Sequence, residues 1–393
     1  MTVDERWIEG PRLLPSLALG IFTAVTSELV AVGVLGPLAA DLRVSPGAAA
    51  AAAVSAYALG VAGGGPLLWW LTSRLDLRKT MVLLLSLLAL ADVLAAIAPS
   101  LAVLAPARTL SGAADGAFSG WASAVAVALG ARSSRAGRTV ATLFTGATIA
   151  SVIGLPGAAL LCELGGWRLP FLVVGSLAAL TALTVARHMP SLQPQSAQGT
   201  GHPVSAERPR RELGRTAVVL ATALLGSGGS ALVFSFVGPY LHQVAGFPER
   251  TLPLLLLVHG LAATAGVRLS GPAADRWPQW TPGGLLLLAA AALLGLRAAG
   301  GSKPAVVVLL AVWGLAGLAL TPVLQRQIVT VGEGSGALAA TLNVAALHTG
   351  ILAGSLVGAS AVDGGRLADT PLLGAAGLLL AATLTWLTRQ PIR

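Results

Sequence analysis

The chain has 393 residues, 55 % of them apolar and 10 % charged, with a net charge of +9. Soluble domains carry about 25 % charged residues. So few charges cannot solvate the surface of a chain this long, which excludes an ordinary soluble enzyme, a disordered protein and a nucleic-acid module. The basic residues lie in short segments between apolar runs, so no nucleic-acid partner is expected. Cys162 is the only cysteine, and no intrachain disulfide can form.

Apolar runs predict an all-α membrane protein with twelve transmembrane helices, at 13–36, 47–71, 80–98, 101–129, 139–162, 169–187, 215–241, 251–273, 283–299, 304–325, 336–361 and 370–388. About 20 apolar residues span a bilayer, and only helices satisfy their own backbone there. The first run is too long for the core of a cleavable signal peptide. His188–Leu213 is rich in Pro, Ser, Gln, Gly and Arg and reads as a solvated loop. It divides the chain into an N-terminal six-helix bundle (1–189), a cytoplasmic central loop (190–213) and a C-terminal six-helix bundle (214–393). Two six-helix halves point to a duplicated transporter fold. With both termini inside, the inner segments hold 18 Lys and Arg residues and the outer ones 6. That bias predicts cytoplasmic termini in a multi-pass protein of the bacterial plasma membrane.

Apart from the arginines near span ends already counted with the flanking segments, four charged residues fall within these spans: Glu28, Asp92, Arg108 and Asp115. Each costs about 2.5–3.5 kcal/mol to insert and therefore needs a reason. Glu28 and Arg108 stand at similar depth and are expected to pair. Asp115 lies two turns beyond Arg108, and Ser111 and Ser119 share that face. The resulting polar stripe suggests a water-filled cavity with a proton and substrate site; the alternative is a fixed ion pair holding two helices together. Asp92 lies nearer the outer end of its span, ahead of Pro99, and is expected to reach interfacial water. His259 and His348 lack metal-ligand spacing, so no metal site is expected. Both read as packing histidines, with His348 the better functional candidate because Asn343 shares its helix. Gly332–Gly336 lacks the strand and lysine of a phosphate loop, and no nucleotide or other cofactor is expected. Gly350, Gly354 and Gly358 form GxxxG steps suited to close helix approach. Gly154-Leu155-Pro156-Gly157 interrupts the fifth span, where a kink is expected.

Several segments together resemble the major facilitator superfamily, and within it the twelve-span drug:proton antiporters, among them actinobacterial chloramphenicol exporters. Thr26-Ser27-Glu28 and Pro37–Leu42 are similar to that group's first span and exit. Ser55–Gly60 with Gly65-Pro66 resembles the second span, and Leu71–Arg74 with Arg78-Lys79 the following loop, although Ser73 and Trp69 stand where the superfamily has Asp and Gly. Gly271 with Asp275-Arg276 is the counterpart in the second half. Arg108 with Gly112 and Gly116 resembles the fourth-span motif, and Gly146 with Gly154–Gly157 the antiporter signature. Phe234–Tyr240 and Leu342–Gly350 resemble the seventh and eleventh spans.

The resemblance implies a proton-coupled antiporter that exports a small amphiphilic antibiotic by alternating access. An exporter of a sugar, nucleoside or other metabolite with the same fold is the alternative. The resemblance implies proton-coupling roles for Glu28 and Arg108; Asp115 is a third candidate from its place on the polar stripe, where an acid is unusual among relatives. Gating candidates are Arg74, Arg78, Gly154, Pro156, Gly157, Asp275 and Arg276. Ser111, Ser119, Asn343 and His348 are candidates for the substrate cavity. Trp121, Phe144, Phe234 and Phe236 either line that cavity or pack. The expected partners are a small-molecule substrate, protons and the lipid bilayer, the expected state is a monomer, and no enzymatic activity is expected.

Overall fold

The computed structural model describes residues 13–45, 48–49, 51–131, 135–189, 210–299, 302–331 and 336–387. Twelve long helices run through them: α1 (Leu13–Gly33), α2 (Ala51–Thr72), α3 (Leu77–Ala96), α4 (Leu101–Ala131), α5 (Ala136–Gly165), α6 (Arg168–His188), α7 (Arg210–Phe234), α8 (Leu252–Arg276), α9 (Thr281–Ala298), α10 (Lys303–Val331), α11 (Gly336–Asp363) and α12 (Thr370–Leu387). Eleven are long and apolar enough to cross a membrane by composition alone. The twelfth, α4, is the longest at 31 residues. It is too polar to qualify because every residue from Ser111 to Val127 is buried against other helices, where lipid does not select for apolarity.

The two halves repeat one packing scheme. In the first, α1 packs on α5 and α6, α3 on α4 and α6, and α2 on α4; in the second, α7 packs on α11 and α12, α9 on α10 and α12, and α8 on α10. Each of these contacts recurs six helices later, as a duplicated bundle requires. The third and sixth helix of each half are peripheral. Helices α2, α4 and α5 meet α8, α10 and α11 across the middle.

Small residues set these crossings. A Cβ on Gly112 would strike the Tyr57 carbonyl, and one on Gly60 the Thr109 carbonyl, so α2 and α4 approach backbone to backbone. Gly350, Gly354 and Gly358 bring α11 onto Leu224, Gly228 and Leu232 of α7 in the same way. Asp76 accepts the Lys79 N–H at 3.2 Å and caps α3.

Three expectations need adjustment. The central loop is outside the described residues as far as 209, but Arg210–Leu213 is already helical. The seventh span does not run through to 241: α7 stops at Phe234, and a short turn (Val237–Pro239) and a π-helical turn (Tyr240–Val244) follow. Pro239 offers no N–H to a continuing helix. Helix α5, in contrast, is continuous through Gly154–Gly157, so the interruption expected there does not end the helix.

The turn 73–76 and the helix ends at Ala131, Ala136, Val331 and Gly336 lie at the end of the bundle that the sequence marks as basic. A single buried cluster there joins Leu13, Leu17, Trp121 and Val140 of the first half to Val267 and Ala337 of the second. At the opposite end the halves have separate clusters, one around Val30, Leu38, Trp167 and Phe171, the other including Phe247, Leu255 and Leu296. The halves are therefore sealed together at the basic end and meet again in a small cluster of Tyr57, Val61 and Val344; among the described residues no buried cluster joins them at the opposite end.

Candidate functional site

Two electrostatic centres sit side by side, one inside the first half and one where it meets the second. The first is an ion pair between Asp92 on α3 and Arg108 on α4, with Nη1 3.3 Å from Oδ1 and neither side chain exposed. Arg108 also donates to the Ala53 carbonyl at 2.9 Å, the Ser27 carbonyl at 3.0 Å and Ser27 Oγ at 3.2 Å. Ser27 and Ser111 donate to Asp92 Oδ1 at 2.8 and 3.0 Å. The guanidinium lies over the Tyr57 ring at 4.5 Å. This corrects two expectations. Arg108 pairs with Asp92 and not with Glu28, and Asp92 is fully buried and does not reach interfacial water. The reason is helical geometry: successive residues on α1 point about 100° apart, so Ser27 turns toward α3 and α4 while Glu28 turns away from them.

Glu28 belongs to the second centre, which bridges the halves. Its Oε1 lies 3.6 Å from His348 Nε2 on α11, with side-chain exposures of 31 % and 13 %. His348 Nδ1 is 3.0 Å from the Val344 carbonyl. Nearby on α4, Asp115 receives hydrogen bonds from Ser119 at 2.8 Å and from the Tyr57 hydroxyl at 2.9 Å. That same hydroxyl lies 3.1 Å from the Ala24 carbonyl of α1. One hydroxyl proton thus faces two acceptors.

The basic end is closed by Asp275, at the last turn of α8. Its carboxylate accepts the N–H of Gly137 at 2.7 Å and of Arg138 at 3.1 Å, in the first turn of α5. A helix N-terminus favours an anion there. Arg326 Nε of α10 stands 3.7 Å away. Gly137 and Gly271 make the crossing close: a Cβ on Gly271 would come within 2.8 Å of the Arg138 Cα. Arg276 stacks on Trp277 at 5.1 Å, and Arg74 and Arg78 are exposed. Ser73 donates to the Trp70 carbonyl, and Trp69 stacks on Trp121 at 6.1 Å.

The remaining candidates separate by burial. Ser111 and Ser119 spend their hydroxyls on Asp92 and Asp115, and both are buried, so they do not form an open cavity wall. Trp121, Phe144 and Asn343 are likewise buried. Asn343 donates to Gln325 Oε1 at 2.6 Å. Phe234 is half exposed and lies against His259 and Trp313, at ring distances of 5.4 and 6.1 Å. His259 bonds the Leu310 carbonyl at 3.1 Å, as a packing histidine does. Phe236 is half-buried near Gly358. Gly154 is buried near Thr26 and Leu29, Gly157 has open space beside it, and the side chain of Pro156 is outside the described residues.

The sequence profile described as Major Facilitator Superfamily matches residues 17–355. The chain belongs to the major facilitator superfamily. Like other members of that superfamily it is a membrane transporter and not an enzyme. It is 30 % identical over 383 residues to the inner membrane transport protein YdhP of Escherichia coli O157:H7, covering 96 % of each chain. It is 29 % identical over 374 residues to a chloramphenicol resistance protein of Streptomyces lividans, covering 95 % of each. Among solved structures, the superfamily transporter FucP, in the outward conformation, superposes with a TM-score of 0.75 at 14 % identity, over 96 % of this chain and 99 % of FucP. That likeness carries the fold alone.

In this superfamily member, Tyr57 and the pairing role of Asp92 escaped sequence reasoning. Tyr57 is an ordinary residue in an apolar span. A usable signal for Asp92 was its cost: a buried carboxylate on α3 needs a cation, and Arg108 is the cation of the next span.

Proposed function

We propose that this transporter is a proton-coupled antiporter that exports a small amphiphilic compound of the chloramphenicol type across the bacterial plasma membrane, with both termini cytoplasmic. One observation carries the reading: Glu28 is a partly accessible carboxylate in the middle of the bundle, held to the opposite half through His348. An ionisable group at that place has a transport role by default. The name of the Streptomyces relative supports the substrate class, and the excess of basic residues at one end supports the orientation.

In the conformation described, the sealed basic end faces the cytoplasm and Glu28 exchanges protons with the outside. Asp115 is the second proton site. When it is protonated it donates to Tyr57, and Tyr57 donates to the Ala24 carbonyl; when it is charged it takes the Tyr57 proton. Arg108 acts through position, fixing the Ser27 backbone one residue before Glu28. Substrate rests against Phe234 and Phe236. Exchange of sides requires Asp275 to leave the α5 N-terminus, with Arg276, Arg74 and Arg78 at the same gate and Gly154, Pro156 and Gly157 allowing α5 to bend. The bundles then rock about the midplane, and no cofactor takes part.

The test is accumulation of radiolabelled chloramphenicol in efflux-deficient cells, with and without a protonophore. Wild type lowers accumulation, the protonophore abolishes the effect, and Glu28→Gln loses it. Unchanged accumulation despite good membrane expression excludes chloramphenicol and moves export of a metabolite ahead.

A further inference from the structure

We infer that Glu28 and His348 form a shared-proton dyad across the two halves, so that His348 is a second proton-carrying group and not a wall of the substrate cavity. The role, though not the pairing, rests on the antiport reading above. The Val344 carbonyl can only accept a hydrogen bond, so His348 Nδ1 carries a hydrogen. The nitrogen that titrates is therefore Nε2. That atom is buried, has no hydrogen-bond partner among the described residues and faces Glu28 Oε1 at 3.6 Å. Two lone pairs aimed at each other across that gap repel, so at least one proton lies between them. It sits on Glu28, as carboxylic acid facing imidazole, or on Nε2, as carboxylate facing imidazolium. Transfer between these forms moves one proton and leaves the net charge of the pair at zero.

A second proton, entering from the open end through the more exposed Glu28, gives a carboxylic acid beside an imidazolium. The ion pair is then lost, and only a weaker hydrogen bond from the imidazolium to the neutral acid's carbonyl oxygen can join α1 to α11. The proton count of the dyad thus sets how strongly these two helices, one from each half, are held together. The other groups acting on the pair are Asp115 and Arg108 from α4 and Tyr57 from α2. Arg108 is committed to Asp92, which leaves His348 as the cation that meets Glu28 directly.

The test is a pH titration of the full chain in lipid nanodiscs. Infrared difference spectra against Glu28→Gln isolate the Glu28 carboxyl band. Nitrogen-15 histidine resonances, compared with His348→Gln, isolate His348 among five histidines. Neutralising either member displaces the midpoint of the other by about one pH unit or more. His348→Lys, which keeps a cation opposite Glu28, returns the carboxyl midpoint toward wild type. Midpoints that ignore the loss of the partner overturn the dyad. If His348→Gln does not give monodisperse protein, the histidine resonance in Glu28→Gln decides alone. Displaced midpoints without protonophore-sensitive export leave the dyad standing and remove the antiport reading; export lost in Glu28→Gln with unmoved midpoints does the reverse.

Discussion

Asp92 and Arg108 hold each other at 3.3 Å with no exposure of either side chain. Removing one member of such a pair leaves a buried charge without compensation, at a cost of about 3–5 kcal/mol. Asp92→Ala should therefore lower the thermal unfolding temperature of the solubilised protein far more than Asp41→Ala at the surface. Arg108→Lys should not rescue it, because one ammonium cannot reach Asp92, the Ala53 carbonyl and the Ser27 carbonyl together. Equal stability of Arg108→Lys and wild type would show that the fork geometry is dispensable.

Tyr57→Phe removes the one hydroxyl between Ala24 and Asp115. A buried acceptor left without its donor costs about 1–3 kcal/mol. The variant should unfold earlier by that amount, and the pH dependence of export should change shape because Asp115 loses its link to α1. A Tyr57→Phe protein with wild-type stability and pH profile contradicts a proton-reading role for this hydroxyl.

Asp275 closes the basic end through two charge-assisted bonds to the first turn of α5. Such bonds contribute about 1.5–3 kcal/mol each. A thiol at the buried Ser270 position (Ser270→Cys, with Cys162→Ser) reports opening of that end to a membrane-impermeant maleimide. Labelling in inside-out vesicles should accelerate at least about tenfold on adding Asp275→Ala. Unchanged labelling would place the seal elsewhere, in the apolar cluster around Trp121 and Val267.

Asp41 accepts hydrogen bonds from Trp167 Nε1 at 2.9 Å and from Arg168 at 2.6 Å, and these hold its carboxyl below the ordinary value of 3.8. A carboxylate lowered on folding stabilises fully above its unfolded value and loses that contribution as pH falls through its folded one. Asp41→Asn should therefore lower the unfolding temperature at neutral pH. The difference should narrow below pH 3.8 and also shrink in high salt, since the pair is exposed. A difference that persists in acid would assign the effect to packing.

Composition and periodicity determined the membrane class, the twelve spans and the two halves, because the bilayer imposes length and apolarity on every segment that crosses it. Even α4 was legible, since its polar residues recur at helical spacing within an otherwise apolar run. The sequence also marked Glu28, Asp92, Arg108 and Asp115 as costly inside a membrane, which is a property of each residue alone, and read His348 as a packing histidine. The tertiary structure decided which of these charges meet. Ser27 and Glu28 are neighbours in the chain, yet the turn of α1 sends one to the Asp92–Arg108 pair and the other to His348. Asp92 reads as interfacial along its own span; the packing of α1 and α4 over α3 makes it buried. His348 lies 320 residues from Glu28 in sequence, and only the seating of α11 against the first half sets them 3.6 Å apart. A sequence gives the energetic cost of a buried charge, whereas its partner is chosen by helix rotation and crossing, and those are fixed by glycine contacts such as Gly60 with Thr109 and Gly112 with Tyr57.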